Sequence, residues 1–143
     1  AYLWVAYLWG ADLRGAKNLN KYLTTPLYGL LDQPGTIRAY KLVNEKSEGI
    51  YNGGVVYTVG KSYAEQNADT NEHELCGKGV NLATLDWCLK EWKPTYRILI
   101  AEFTAKDIAA IPIGSDGKFR VYHCAIVGEK SLVELGLSLP PAS

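Results

Sequence analysis

The first fifteen residues fall into three consecutive five-residue units, Ala-Tyr-Leu-Trp-Val, Ala-Tyr-Leu-Trp-Gly and Ala-Asp-Leu-Arg-Gly. Alanine recurs at Ala1, Ala6, Ala11 and Ala16, and leucine at Leu3, Leu8 and Leu13. A period of five matches neither the 3.6 of an α-helix nor the 2 of a β-strand. It matches a square coil in which each unit forms one side and the alanine and central leucine turn inward. Units of this kind cannot bury their apolar faces alone and must stack on neighbours. Four units make a single coil, so the opening is expected to be the end of a longer solenoid, truncated upstream of Ala1, or a surface completed by a partner.

The repeat loses phase after Ala16, and the chain divides into a coil over 1–20, a connector over 21–35, a main domain over 36–135 and a tail over 136–143. In the connector, apolar residues stand at roughly helical spacing around Pro26, and Gln33-Pro34-Gly35 ends it in a turn. From Thr36 the pattern changes to β-rich runs. Strands are predicted at Ile37–Val43, near Gly49–Tyr51 and Val55–Val59 around an Asn52-Gly53-Gly54 hairpin turn, at Tyr96–Phe103, and at Lys118–Val127. The last of these places Phe119, Val121, His123, Ala125 and Val127 on one face. The clearest helix signal runs from Asn81, a good N-cap, to Trp92, with Pro94 stopping it. Glu129–Leu135 reads as a short terminal helix, and the acidic stretch 65–74 as a solvated loop. Strands, one helix and strands again predict an α+β domain with a mostly antiparallel sheet and the helix on one face.

Fifteen basic and fifteen acidic residues cancel, which argues against a general electrostatic nucleic-acid binder. No apolar run approaches the roughly 18 residues of a membrane span, and the start lacks the pattern of a signal peptide. Cys76, Cys88 and Cys124 are an odd number of thiols, not a disulfide framework. A cytoplasmic, not a secreted, setting is expected, with no membrane partner and with nucleic acid disfavoured.

The unit Ala11-Asp12-Leu13-Arg14-Gly15 resembles the pentapeptide-repeat family, whose unit is Ala-Asp/Asn-Leu-x-x; Tyr2 and Tyr7 stand where that family has Asp or Asn. The resemblance implies a short right-handed quadrilateral β-helix coil over 1–20. Residues 37–132 resemble an uncharacterised domain of bacterial and phage proteins, sometimes found behind such repeats. The matching pieces are Tyr40-Lys41, Val59-Gly60-Lys61-x-Tyr63, Leu75-Cys76-x-x-Gly79 and Ile126-Val127-Gly128-Glu129. This resemblance implies a phage-associated setting as the alternative, and no activity comes with it.

Tyr2, Trp4, Tyr7 and Trp9 crowd four large rings into ten residues, the composition of an interface core. The function expected is therefore non-catalytic: protein binding or assembly, with further repeat coils or self-association as partner and with no cofactor. Two enzymatic alternatives stand beside it. Strand order and the closing Val127-Gly128-Glu129 resemble ADP-ribosyltransferases, which implies roles for Arg38, Tyr57 or Tyr63, and Glu129. A thiol-dependent site would instead pair Cys76 with His123. His73, Cys76, Cys88 and His123 have residue types that ligate zinc, but His123 and Cys124 are adjacent in a strand and point to opposite faces. The plainer reading makes the cysteines core or loop thiols. Gly77-x-Gly79 ahead of the Asn81 helix could offer amides to an anion, or could simply be a turn and a cap.

Overall fold

A computed structural model describes residues 21–51 and 53–137. The proposed coil, with Tyr2, Trp4, Tyr7 and Trp9, lies outside the described residues. Seven strands form one sheet: β1 Thr36–Val43, β2 Ser62–Ala64, β3 Val80–Ala83, β4 Arg97–Thr104, β5 Ile108–Ala110, β6 Lys118–Val121 and β7 His123–Glu129. Their order is β2-β7-β4-β1-β3-β6-β5, and every pairing is antiparallel. One α-helix, α1 (Leu85–Glu91), lies on the sheet. The class is α+β, as the alternation of patterns predicts.

The sheet bends back on itself. Strands β6 and β7 are separated in sequence by Tyr122 alone, yet stand sixth and second in the order. A bend at Tyr122 makes this one stretch belong to both ends, the corner device of orthogonally packed sheets. The bend also corrects the expected facing. Phe119 and Val121 point into the core, but after Tyr122 it is Cys124 and Ile126 that do so, while His123 and Val127 are exposed. One residue out of pattern flips every later side chain to the other face.

The enclosed core holds Ala39 and Val43 of β1, Val80 and Leu82 of β3, Leu99, Ala101 and Phe103 of β4, and Phe119, Val121, Cys124 and Ile126 of β6–β7. Leu27 reaches this core from a 3₁₀ helix, Pro26–Asp32, whose first turn is capped by the Thr25 side chain. The connector thus packs on the domain as 3₁₀ turns to either side of Thr24 and Thr25. The outer face carries a second cluster, in which Leu42, Ala83 and Ile98 are covered by Trp87 and Cys88 of α1.

Three other expectations are corrected. Asn81 is not a helix cap: it sits in β3 opposite Arg120, and α1 begins after Thr84. Leu82 satisfies both periodicities, but alternation with Val80 into the enclosed core wins. Among the described residues of 49–59 there is no regular strand pair; the bridges there are single ones, Val43 with Gly49 and Glu48 with Val56. Residues 130–137 form turns packed through Leu132 and Leu135 on the outer cluster, not a helix following Glu129. The two outermost strands, β2 and β5, have three residues each, which leaves little exposed edge for stray pairing. Among the described residues no helix is long and apolar enough to cross a membrane.

Candidate functional site

The register separates the residues proposed for an ADP-ribosyltransferase-like site. Arg38 stands opposite Glu102, on the face that carries Tyr40 and Leu42. Glu129 stands opposite Leu99, on the face of the enclosed core. The two therefore project to opposite sides of the sheet. Each is engaged locally, Arg38 Nη2 with Glu102 Oε2 at 3.0 Å and Glu129 Oε1 with Arg97 Nη1 at 3.1 Å. Tyr57 and Tyr63 meet with ring centroids 4.7 Å apart against the enclosed core, where burial pushes the Tyr57 hydroxyl up to about 12.

The thiol and metal candidates are also dispersed. His123 is exposed on β7 opposite Ala64, whereas the Cys76 sulfur accepts a hydrogen bond from Lys118 Nζ of β6 at 2.8 Å. Three strands, β4, β1 and β3, stand between β7 and β6 in the sheet order. His73 is exposed in the loop before Cys76, and Cys88 is sealed beneath α1. Among the described residues no three of His, Cys, Asp and Glu gather closely enough to hold a metal ion. Gly77-x-Gly79 leads into a strand, so its amides do not open a helix. Gly77 instead allows close packing, since a Cβ there would lie 2.8 Å from Asp69 Oδ2 and 3.0 Å from Arg120 Cζ.

What organises this region is Arg120, which the sequence pattern did not single out. Its side chain is fully buried between β6 and the 69–76 loop. Nε donates to the Asp69 carbonyl at 2.8 Å, Nη2 to Asn71 at 2.7 Å and Nη1 to Glu74 at 2.5 Å. Burial pushes the guanidinium below its ordinary value, and Asp69 and Glu74 oppose that shift. Asn81 Nδ2 secures the next stretch, donating to Gly77 and Gly79. The acidic loop thus wraps around one cation. A lone arginine inside an apolar strand is the only trace of this in the sequence.

Beside it lies a small cleft of about 30 Å³, open to solvent, between β1, β3, α1 and the 49–51 turn. Tyr40, Lys41, Tyr51, Asn81, Trp87 and Lys118 line it. Lys41 is buried where β1 and β3 diverge after their single bridge, Tyr40 with Ala83. Its Nζ takes the Asn81 carbonyl at 2.7 Å and lies 4.8 Å from the Tyr57 ring centroid. Burial, with Lys118 adding to it, brings the ammonium down to about 8. Lys118 Nζ donates to the Leu75 carbonyl at 2.6 Å as well as to Cys76, and lies 5.6 Å from the Tyr51 ring centroid. The Tyr51 hydroxyl donates to Glu91 Oε1 at 2.9 Å, and its ring meets Trp87 edge-on at 6.3 Å. Asn81 Oδ1 is buried and has no donor. Chemically, the cleft offers positive charge and aromatic faces.

Burial raises the Cys88 thiol to about 12 and the Cys124 thiol to about 11, with nearby Lys41 pulling both the other way. Above pH 9, the ordinary value, the unfolded chain loses these protons while the fold keeps them. The native state then binds more protons, so the thiol contribution to stability falls as pH rises from 9 to 11. Lys41 acts oppositely between pH 8 and 10.5, since there the unfolded chain binds the extra proton. A Cys88→Ala/Cys124→Ala protein should therefore gain stability relative to wild type on going from pH 9 to 11. Urea midpoints at both pH values check this, and a constant difference would refute it.

No family model, no curated protein and no solved structure matches the chain.

Proposed function

We propose that the chain is a non-catalytic binding and assembly module of a bacterial or phage pentapeptide-repeat protein, which self-associates through apolar surface. The observation that carries this reading is the 51–59 segment. Val55, Val56 and Val59 are 45%, 55% and 47% exposed, and Tyr51 beside them is 55% exposed. They are held outward by an anchor. Tyr57 is buried between Lys41 and Tyr63, and its N–H donates to the Ser47 carbonyl at 2.8 Å. Tyr63 Oη accepts from Thr58 N at 2.6 Å and donates to the Val56 carbonyl at 3.0 Å. The Gly60 N–H closes the segment on the Ile126 carbonyl. A fixed, exposed apolar array is what an interface core needs, because little conformational freedom is lost on contact. The aromatic repeat residues Tyr2, Trp4, Tyr7 and Trp9, outside the described residues, are proposed as a second contributor to association.

The enzyme alternatives draw less support, because Arg38 and Glu129 face opposite ways and the partner of Cys76 is a lysine, not His123. Analytical ultracentrifugation tests the proposal. Wild type should sediment above its 15.8 kDa monomer mass at tens of micromolar. Val56→Asp/Val59→Asp, with unchanged far-UV circular dichroism, should return to that mass. Trp4→Ala/Trp9→Ala measures the share of the repeat. A monomeric wild type, or association unmoved in both variants, would overturn the reading.

A further inference from the structure

We propose that the cleft between β1, β3 and α1 binds a small oxyanion, a carboxylate or a phosphate, whose carrier, a flat aromatic ring, stacks on Tyr51 at the mouth. Two lysines line it, and each is only 7% exposed. Burying an ammonium costs several kcal/mol unless opposite charge answers it. Here none does: among the described residues neither lysine forms an ion pair. The partners of Lys41 are a carbonyl and the face of a tyrosine ring, and those of Lys118 are a carbonyl, a sulfur and another ring face. These are dipoles and quadrupoles that orient a cation without neutralising it. The two ammonium groups also raise each other's cost, since like charges repel more strongly in a low-dielectric wall than in water. An oxyanion entering the cleft would relieve both terms at once, and charge-assisted hydrogen bonds to a buried ammonium are the strong kind.

The rest of the lining defines what carries the anion. Tyr40, Tyr51 and Trp87 are aromatic, and Tyr51 is more than half exposed at the mouth. Its hydroxyl is tied to Glu91 on α1, so the ring stands in a set position against Trp87. Offset or edge-on stacking of a ligand ring on such a pair contributes about 0.5–1.5 kcal/mol beyond the area it buries. Leu75, 57% exposed, continues the apolar rim next to Lys118. Lysine is well suited to this duty, as a compact charge that serves carboxylate and phosphate alike. The cleft shares Tyr51 with the proposed association surface but none of its exposed valines.

The test uses the full chain, with intrinsic tryptophan fluorescence and calorimetry as readouts. Phenyl phosphate and benzoate are expected to bind, inorganic phosphate more weakly, and neutral benzyl alcohol not at all. Phenyl phosphate above benzoate would assign the natural ligand to the phosphates, and the reverse to the carboxylates. Tyr51→Ala, a change at an exposed ring, should weaken the two ring-bearing anions by about tenfold and inorganic phosphate by less. Lys118→Met should abolish binding of all three. Because Lys118 also holds the Leu75 carbonyl, a wild-type measurement stands beside the variant. Cys76 is exposed whereas Cys88 and Cys124 are buried, so alkylation of Cys76 reports on the Lys118 ammonium that its sulfur meets. Iodoacetate should modify Cys76 faster than uncharged iodoacetamide, and phenyl phosphate should protect it. Binding of benzyl alcohol equal to that of the anions, no anion binding at millimolar concentration, or slower reaction with iodoacetate would each overturn the proposal.

Discussion

Replacing Arg120 with Met is expected to lower the free energy of unfolding by about 3–4 kcal/mol, since three part-buried carbonyls lose their donor at about 1–3 kcal/mol each, partly offset by removing a buried charge. The methionine nearly matches the aliphatic stem, so the loss measures the guanidinium and not a cavity. The carbonyls of Asp69, Asn71 and Glu74 belong to one loop and meet one planar group. Without it, the loop keeps backbone bonds such as Asp69 N–H to the Lys78 carbonyl and Ile113 N–H to the Glu72 carbonyl, its own Asp69 and Asn71 side-chain turns, and the Lys118 bond to the Leu75 carbonyl. Urea denaturation gives the stability, and amide exchange over 69–76 should accelerate more than exchange in β4. Arg120→Lys should recover little, because an ammonium cannot span three divergent acceptors. A loss below about 1 kcal/mol, within the range of ordinary surface changes, would mean that the loop is anchored elsewhere.

The second large effect is expected at Gly117, in the turn that precedes β6. Its φ of +145° is a region that L side chains rarely adopt, and holding one there costs about 1–3 kcal/mol. A Cβ would also overlap Thr84 Oγ1 and come within 2.9 Å of Trp87 Cβ. Overpacking of that kind adds about 1–3 kcal/mol, so Gly117→Ala should destabilise by roughly 3 kcal/mol or more. The Gly117 carbonyl accepts from the Thr84 N–H, the residue that caps α1. Displacing the turn therefore shifts the helix as well. Gly114 is the internal control: its φ is +69°, but no atom lies within 4 Å of a Cβ there. Gly114→Ala should show the backbone strain alone, at about 1 kcal/mol. Equal losses at the two glycines would show that the contacts with Thr84 and Trp87 relax freely.

Strands β1 and β4 emerge from their β-rich runs close to their observed limits. The sequence misleads where one residue serves two patterns or breaks one. Leu82 extends the helical spacing of 85–92 back into what is a strand. Tyr122 shifts the phase of 118–129, and no local signal marks a strand that must turn a corner. Asn52-Gly53-Gly54 is a sound hairpin motif, but Tyr57 is drawn into the core and the flanking residues follow it. The candidate site was the least legible part. Lys41, Lys118 and Arg120 sit in apolar strands where a charge is ordinarily read as facing water. Their burial depends on carbonyls supplied from 40 or more residues away. The scattered Cys and His residues drew attention through their reactivity, whereas the structure leaves most of them in separate surroundings.

The bend at Tyr122 has a consequence for how the chain acquires its fold. Strand β1 must find β4 across a separation of 64 residues at the Arg38–Glu102 pair, and β7, the last strand, lies between β4 and β2. A chain emerging from its N-terminus therefore cannot close the sheet until residue 129 is free. Until then, the apolar faces of β1, β3 and β4 have no lid. Such non-local pairing slows folding and lengthens the interval in which open strand edges can join the wrong chain. For this topology, the hazard of synthesis is concentrated in the final strand.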